Sequence, residues 1–302
     1  MEKLVLILPV LSGVMWGSTG PFVRVIQDFG FDQFSLINVK MFLTTIILLV
    51  ALGLFDRKLL KVKIKDLWLF AAAGIIGMLM LNLGYNQAIE KLTLSLAAVL
   101  LSMSPIFVMI CARIFLKEEI TKRKVIGTFF AIVGCAMVSG VLEGNSLGNA
   151  SAMGVILGIA AAVFYGSYTI FSKILMTKGY NVFTVTFYST LFGTIVLTPK
   201  TDWQIIGQFV SVSPVKNSAF LVAFAVCTTI LPYVLYTVAM NHAEAGKVAI
   251  LGAGGEPSSA MIFGWIFYHE VPSIISILGL AVTIVALAFI CLPGKPKHRR
   301  KM

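Results

Sequence analysis

The stretch Phe115-Leu116-Lys117-Glu118-Glu119-Ile120-Thr121-Lys122-Arg123-Lys124 closes one apolar run and leads into the next. Displaced by 152 residues, Phe267-Tyr268-His269-Glu270-Val271-Pro272-Ser273 does the same, with Phe115-x-x-Glu118 overlying Phe267-x-x-Glu270. The first stretch is strongly basic; the second has no Lys or Arg. Lysines and arginines between apolar spans are retained on the cytoplasmic side of a bilayer. One connection therefore occurs twice in the chain, and its charge puts the two copies on opposite sides of a membrane.

Working outward from that pair, the halves stay in register. At an offset of 149, Trp16-Gly17-Ser18 overlies Tyr165-Gly166-Ser167, Phe22-x-Arg24 overlies Phe171-x-Lys173, and Phe31-x-x-Phe34 overlies Tyr180-x-x-Phe183. At 151, Tyr85-x-x-Ala88 overlies Tyr236-x-x-Ala239; at 152, Ser104-Pro105 overlies Glu256-Pro257 and Gly127 overlies Gly279. Chance similarity between apolar helices does not hold register to three residues across a whole half.

The 302 residues are 58% hydrophobic and only 12% charged, where a soluble chain carries about a quarter charged residues. The apolar runs fall at 4–27, 34–55, 67–89, 93–116, 123–141, 152–175, 182–198, 218–240, 246–268 and 273–292. Such runs suit the ~30 Å of hydrocarbon that a helix must cross. The expected fold is an all-α polytopic membrane protein of ten transmembrane helices. These form two inverted five-helix repeats, 4–141 and 152–292, followed by a basic tail, 293–302. Five is odd, so the second repeat enters the membrane upside down. Soluble enzymes, nucleic-acid modules and disulfide scaffolds are excluded. The first span is too long and too well embedded for a cleaved signal peptide, and Pro199 to Asn217 is the longest connection expected.

With the N-terminus inside, 18 of the 24 lysines and arginines fall in cytoplasmic segments. Arg24, Lys91, Lys200 and Lys216 fall on the opposite face, while Lys40 and Arg113 lie within spans. Both termini are expected in the cytoplasm, with the protein in the plasma (inner) membrane. The net charge of +11 then records topology and contact with lipid headgroups, not nucleic acid. Cys111, Cys135, Cys227 and Cys291 show no Cys-x-x-Cys spacing, and His242 and His269 have no second ligand at metal-binding spacing. No metal, no cofactor and no Walker A sequence is expected.

Trp16-Gly17 in the first span, Lys40-Met41-Phe42 in the second, and Ser104-Pro105 with Phe115-x-x-Glu118 in the fourth resemble the EamA repeat. So do Glu256-Pro257 and Phe267-x-x-Glu270 in the second copy. The resemblance, to the ten-helix group of the drug/metabolite transporter superfamily, covers essentially the whole chain. It implies a central cavity lined by the first, third, fourth, sixth, eighth and ninth helices. It also implies secondary transport of small metabolites, often export of amino acids or related compounds. Ser189 stands where Lys40 has its partner, so any role of that lysine is not duplicated.

Ionisable groups inside spans cost roughly 2.5–3.5 kcal/mol on insertion scales and are functional hypotheses by default. Glu256 lies near mid-depth of the ninth span, between Gly252-Ala253-Gly254-Gly255 and Pro257. That sequence is expected to weaken or break the helix. Its carboxylate either accepts a proton, cation or amine, or closes a structural break. Lys40 lies ~9 Å below the outer end of the second span at 1.5 Å per residue. Two readings stand: its stem snorkels to the interface, or its ammonium attracts a substrate carboxylate. Asn82, Tyr85 and Asn86 share one helical face and point into the bundle, toward substrate or toward neighbouring helices. Trp16, Ser18, Tyr165, Tyr168, Tyr233 and Tyr236 are candidates for cavity lining or for packing. Gly13-x-x-x-Gly17 permits close helix approach but is common in glycine-rich spans, and Asn149-Ala150-Ser151 is a sequon.

The expected function is a secondary transporter of a small metabolite, an amino acid, amine or related compound, working by alternating access. The resemblance favours export; coupling to protons is one form this can take, and a facilitative uniporter or importer is the alternative. An intramembrane enzyme or a non-transporting scaffold has less support, because no nucleophile–base constellation or soluble domain is visible.

Overall fold

The computed structural model describes residues 5–92, 94–142, 151–269 and 271–291, which contain helices and no strand. In the first half α1 (Ile7–Gly17) and α2 (Thr19–Asp28) meet at Ser18, and α3 (Gln33–Phe55) follows. Next, α4 (Leu67–Ala71) passes through a π-helical segment, Ala72–Leu79, into α5 (Met80–Lys91). Then come α6 (Leu94–Leu101), α7 (Ser104–Phe115) and α8 (Lys122–Val138). The second half has α9 (Ala152–Thr177), α10 (Val182–Leu197), α11 (Trp203–Val212) and α12 (Pro214–Ala225). A second π segment, Val226–Ile230, leads into α13 (Leu231–His242), then α14 (Ala245–Tyr268) and α15 (Ile274–Cys291). Glu270, the sequon at Asn149 and the tail 293–302 lie outside the described residues.

Among the described residues, seven helices are long and apolar enough to cross a membrane. They are Gln33–Phe55, Ile64–Lys91, Leu96–Phe115, Ala152–Thr177, Val182–Lys200, Pro214–His242 and Ile274–Cys291. The other three expected spans are helical but less regular. The first is interrupted at Ser18, the fifth yields the 17-residue α8, and the ninth is diluted by glycines, serines and Glu256.

Local chemistry explains where helices start. The Asp32 carboxylate accepts from the backbone N–H of Phe34 (2.7 Å) and Ser35 (2.9 Å) to open α3. At the equivalent position, 149 residues on, the Asn181 side-chain oxygen accepts from Phe183 N–H (2.9 Å) to open α10. Each satisfies amides that a helix N-terminus leaves unpaired.

Two expectations are corrected. The connection Pro199 to Asn217 holds a helix, α11, capped by Asp202. Phe209 on α11 is buried, with its ring 5.1 Å from Phe29 and 5.6 Å from Phe31. The expected break around Glu256 does not occur, because α14 runs continuously through Pro257. Proline removes the donor that would reach the carbonyl four residues back. That carbonyl belongs to Ala253, and the Cys135 thiol of α8 approaches it at 3.9 Å. The chain instead breaks in the other copy, at Ser102-Met103, leaving Pro105 in the first turn of α7 where it is tolerated.

Packing is reciprocal between the halves. α1 lies against α13 and α14, as α9 lies against α5, α6 and α7; α3 pairs with α10, and α8 with α15. One of the closest backbone approaches joins α1 to α14. A Cβ on Gly13 would stand 2.2 Å from the Gly252 carbonyl oxygen, and one on Gly17 2.6 Å from that of Glu256. The Gly13-x-x-x-Gly17 spacing therefore does serve helix contact, and it brings the backbone of α1 against Glu256.

Candidate functional site

Trp16, half-buried near the end of α1, holds three tyrosines around its ring. The centroids lie 5.8 Å from Tyr165, 5.2 Å from Tyr233 and 5.5 Å from Tyr236. Tyr168 packs edge-on to Tyr233 at 4.8 Å. Edge-to-face contacts of this kind suit the ring quadrupole. The four tyrosines are buried, and two hydroxyls are tied down. Tyr236 pairs with Thr169 Oγ1 at 3.0 Å and Tyr168 with Thr237 Oγ1 at 3.4 Å. Sequence reading named all five aromatics as candidates for cavity lining or packing, and the structure gathers them from α1, α9 and α13 into one cluster.

Lys40 does not snorkel. It is 8% exposed, and its Nζ donates to Asn82 Oδ1 of α5 at 2.7 Å. The ammonium also lies 6.0 Å from the centre of the Phe224 ring of α12, within cation–π range. Asn82 is held in turn, its Nδ2 donating to the Met78 carbonyl of the π segment at 2.7 Å. A charged donor on a carboxamide inside the bundle is worth more than hydration at a distant interface. That partner, which hydropathy cannot reveal, keeps the lysine in. Ser189, its counterpart on α10, lies beneath Gly74 of the first π segment, where a Cβ on Gly74 would stand 2.1 Å from the Ser189 carbonyl oxygen.

Glu256 is half-buried, and its carboxylate accepts no hydrogen bond among the described residues. Its charge is felt at Lys40, Tyr85, Tyr165 and Tyr233. No ion pair within 4.0 Å joins it to Lys40 among the described residues. The backbone of Glu256 lies against Gly17 of α1, the residue after Trp16: a Cβ on Gly17 would stand 2.6 Å from the Glu256 carbonyl oxygen. Asn86 is half-buried one turn from Asn82 and forms no hydrogen bond among the described residues. Ser18 donates to the Met15 carbonyl at 2.6 Å, where α1 gives way to α2. Neither forms a hydrogen bond to the cluster among the described residues.

A second feature lies at the end of the bundle that carries the basic connections. Glu118 accepts from the N–H groups of Ala245 (2.7 Å) and Gly246 (3.3 Å), capping α14. Lys124 bridges Glu118 at 3.5 Å and Glu244 at 2.7 Å, while Lys173 Nζ donates to the carbonyls of Met240 and Ala243 at the end of α13. Opposite charges thereby meet the opposite helix termini they suit. Beside them opens a cavity of about 680 Å³ bordered by Leu6, Glu118, Lys173, Glu244 and Lys247. Sequence reading used Glu118 and Lys173 as markers of the repeat, Glu118 also of the family resemblance and Lys173 also of topology, and gave neither a capping role. Their capping roles depend on where α13 and α14 turn, which no local pattern in the first half encodes.

The family model described as "EamA-like transporter family" matches residues 3–140 and again 152–292. A protein of Streptantibioticus cattleyicolor named "Probable terminal-alkyne amino-acid exporter" is 26% identical over 93% of this chain and 91% of its own. The pseudopaline exporter of Pseudomonas aeruginosa is 28% identical over 70% and 71%. An uncharacterized transporter of Archaeoglobus fulgidus is 36% identical, over 46% of this chain and 48% of its own. A crystal structure of 13% sequence identity superposes with a TM-score of 0.73 over 95% of each chain, which shows the shared fold. Helices long and apolar enough to span a bilayer, and a family match covering both halves, make this a multi-pass membrane protein; the chain belongs to the EamA-like transporter family.

Proposed function

We propose that this protein is a ten-span secondary transporter of a small amphipathic metabolite, which it exports by alternating access. Two inverted five-helix repeats, 4–141 and 152–292, rock about a central cavity of the kind the family resemblance implies, with both termini in the cytoplasm of a cell whose plasma membrane holds the protein. The observation that carries this reading is the half-buried Glu256 carboxylate, unbonded among the described residues, on a helix packed against α1 at Gly17 beside Trp16. A carboxylate left without partners in hydrocarbon is costly, and a transported proton or a substrate cation supplies what it lacks.

Reciprocal packing of the two halves and the double family match support the inverted repeats, an arrangement suited to alternating access. The names of the Streptantibioticus and Pseudomonas relatives support export and a substrate of amino-acid type. The cavity at the basic end serves as the cytoplasmic vestibule. Its Lys247 and Glu256 are nine residues apart on α14, ~14 Å at 1.5 Å per residue.

The test is flux of a broad metabolite panel in proteoliposomes, with and without an imposed pH gradient. Substrate-dependent flux in the wild type, accelerated by the gradient and lost in Glu256→Gln, is the expected result. Gradient-independent flux that survives in Glu256→Gln would contradict proton coupling through this residue, and absence of flux for every compound would contradict transport.

A further inference from the structure

We infer that the connection between α3 and α4 is a binding site for the headgroups of anionic phospholipids, set over the seam between the two halves. On the sidedness proposed above, the lipids are those of the cytoplasmic leaflet.

The charges come first. Two 3-10 turns, Arg57–Leu60 and Ile64–Asp66, carry the chain from the end of α3 into α4. Arg57, Lys58, Lys61, Lys63 and Lys65 lie on this strap, and all five are exposed. None forms an ion pair within 4.0 Å among the described residues, and Arg57 uses one of its five donors on the Gly53 carbonyl. The two acids of the strap are committed elsewhere. Asp56 accepts from the backbone N–H of Lys58 at 3.0 Å. Asp66 accepts from Lys178 Nζ at 2.6 Å and from the Tyr180 hydroxyl at 2.7 Å. A dense basic cluster directly at the end of a membrane helix attracts anionic lipid.

Apolar side chains share the same surface. Phe55 is 90% exposed, Ile64 86% and Trp68 62%. In water such exposure is unfavourable; at a bilayer surface these groups enter the acyl region while the lysines reach the phosphates, and tryptophan suits that boundary. One partner, a phospholipid of negative charge, satisfies both sets.

The strap is also held in place. The Leu59 carbonyl accepts from Thr184 Oγ1 at 2.8 Å and the Leu60 carbonyl from the Tyr188 hydroxyl at 2.7 Å. The Lys63 N–H donates to the Tyr180 hydroxyl at 3.1 Å. These anchors belong to the second half and the strap to the first, so headgroups gathered here lie across the seam. Cations on a fixed backbone lose less freedom on binding than cations on a free loop.

The corresponding connection of the second repeat shows that docking does not require the cations. It too is bound to the opposite half, through Asp202 N–H on Ser35 Oγ at 2.8 Å and Phe209 on Phe31. Yet its helix α11 carries no Lys or Arg.

The experiment makes Trp68 the sole tryptophan, with Trp16→Phe, Trp203→Phe and Trp265→Phe in the full-length protein. It is reconstituted into equal mixtures of phosphatidylglycerol and phosphatidylcholine, with one or the other brominated to quench tryptophan at contact. Phosphatidylglycerol should be enriched about fivefold or more around Trp68, since one cation at an anionic surface contributes about a factor of five. Joint Lys58→Gln, Lys61→Gln and Lys65→Gln should bring the enrichment close to unity, while Arg at the same three positions retains it. Lys117→Gln with Lys122→Gln, which removes exposed cations from another basic connection, should also retain it. If the tryptophan-reduced protein folds poorly, native mass spectrometry of the parent and the Lys→Gln triple variant counts the two lipids retained, with the same expectation. Equal quenching by the two brominated lipids would overturn the inference. So would a preference that survives the triple Gln variant, or one that the Lys117/Lys122 control loses equally. Neither sidedness nor transport enters the measurement, so a negative result leaves the transport reading standing.

Discussion

Lys117 and His269 share a left-handed backbone, with φ of +58° and +55°, and stand 152 residues apart at the ends of α7 and α14. They are the non-glycine residues with positive φ among the described residues. Each follows a phenylalanine by two positions and precedes a glutamate, so a sequence match at the ends of two helices corresponds to an unusual and identical turn of the chain. Side chains other than glycine adopt this conformation at a cost, and independent helices would not be expected to share it at matched positions.

Glycine suits that conformation without strain. Lys117→Gly should therefore leave the protein as stable as the parent or stabilise it by up to about 1 kcal/mol, while Lys117→Val, β-branched at positive φ, should destabilise it by about 1–3 kcal/mol. Thermal unfolding in detergent distinguishes them. Equal transitions for the two variants would mean that the turn relaxes without consequence.

Glu118 and Glu244 both contact Lys124, at 3.5 and 2.7 Å, but their surroundings differ: 11% of the Glu118 side chain is exposed, against 52% for Glu244. Glu118 also caps α14 through Ala245 and Gly246. Glu118→Ala should cost about 1–2 kcal/mol, as loss of a helix cap does. Glu244→Ala should cost under about 1 kcal/mol, as for an exposed pair. Chemical or thermal unfolding of the two variants checks the order; the shorter ion-pair distance alone would predict the reverse.

Gly13 is surrounded by backbone, with Gly252 oxygen and Gly255 Cα within 2.9 Å of a hypothetical Cβ, whereas Gly20 has nothing within 4 Å. Gly13→Val should reduce folded yield and stability by about 3 kcal/mol or more, since overpacking here must displace main chain. Gly20→Ala should be neutral or slightly stabilising. Size-exclusion profiles and unfolding temperatures measure both.

The helices were legible because apolar runs and polar breaks are set by the bilayer, and the duplication was legible because register held. Matching Trp16 to Tyr165, and Tyr236 to Tyr85, likewise named three side chains that cluster, Trp16, Tyr165 and Tyr236. What sequence left hidden depends on distant partners. Lys40 reads as a snorkelling lysine until Asn82 is seen beneath it. Glycines beside Glu256 read as a break until α1 is found packed against them, with Cys135 at the carbonyl that Pro257 leaves free. The two π segments, Ala72–Leu79 and Val226–Ile230, leave no periodic signature. The helix α11 hides between Pro199 and Pro214, where capping by Asp202 and packing of Phe209 decide its fate.

The central claim is that the two halves thread the membrane in opposite directions. Single cysteines at Lys117 and His269, both exposed, can be labelled with a membrane-impermeant maleimide in right-side-out and inside-out vesicles, with the signal of the parent cysteines subtracted. The inverted arrangement predicts that Lys117→Cys reacts only from the cytoplasmic face and His269→Cys only from the outer face; reaction of both from one face would contradict it.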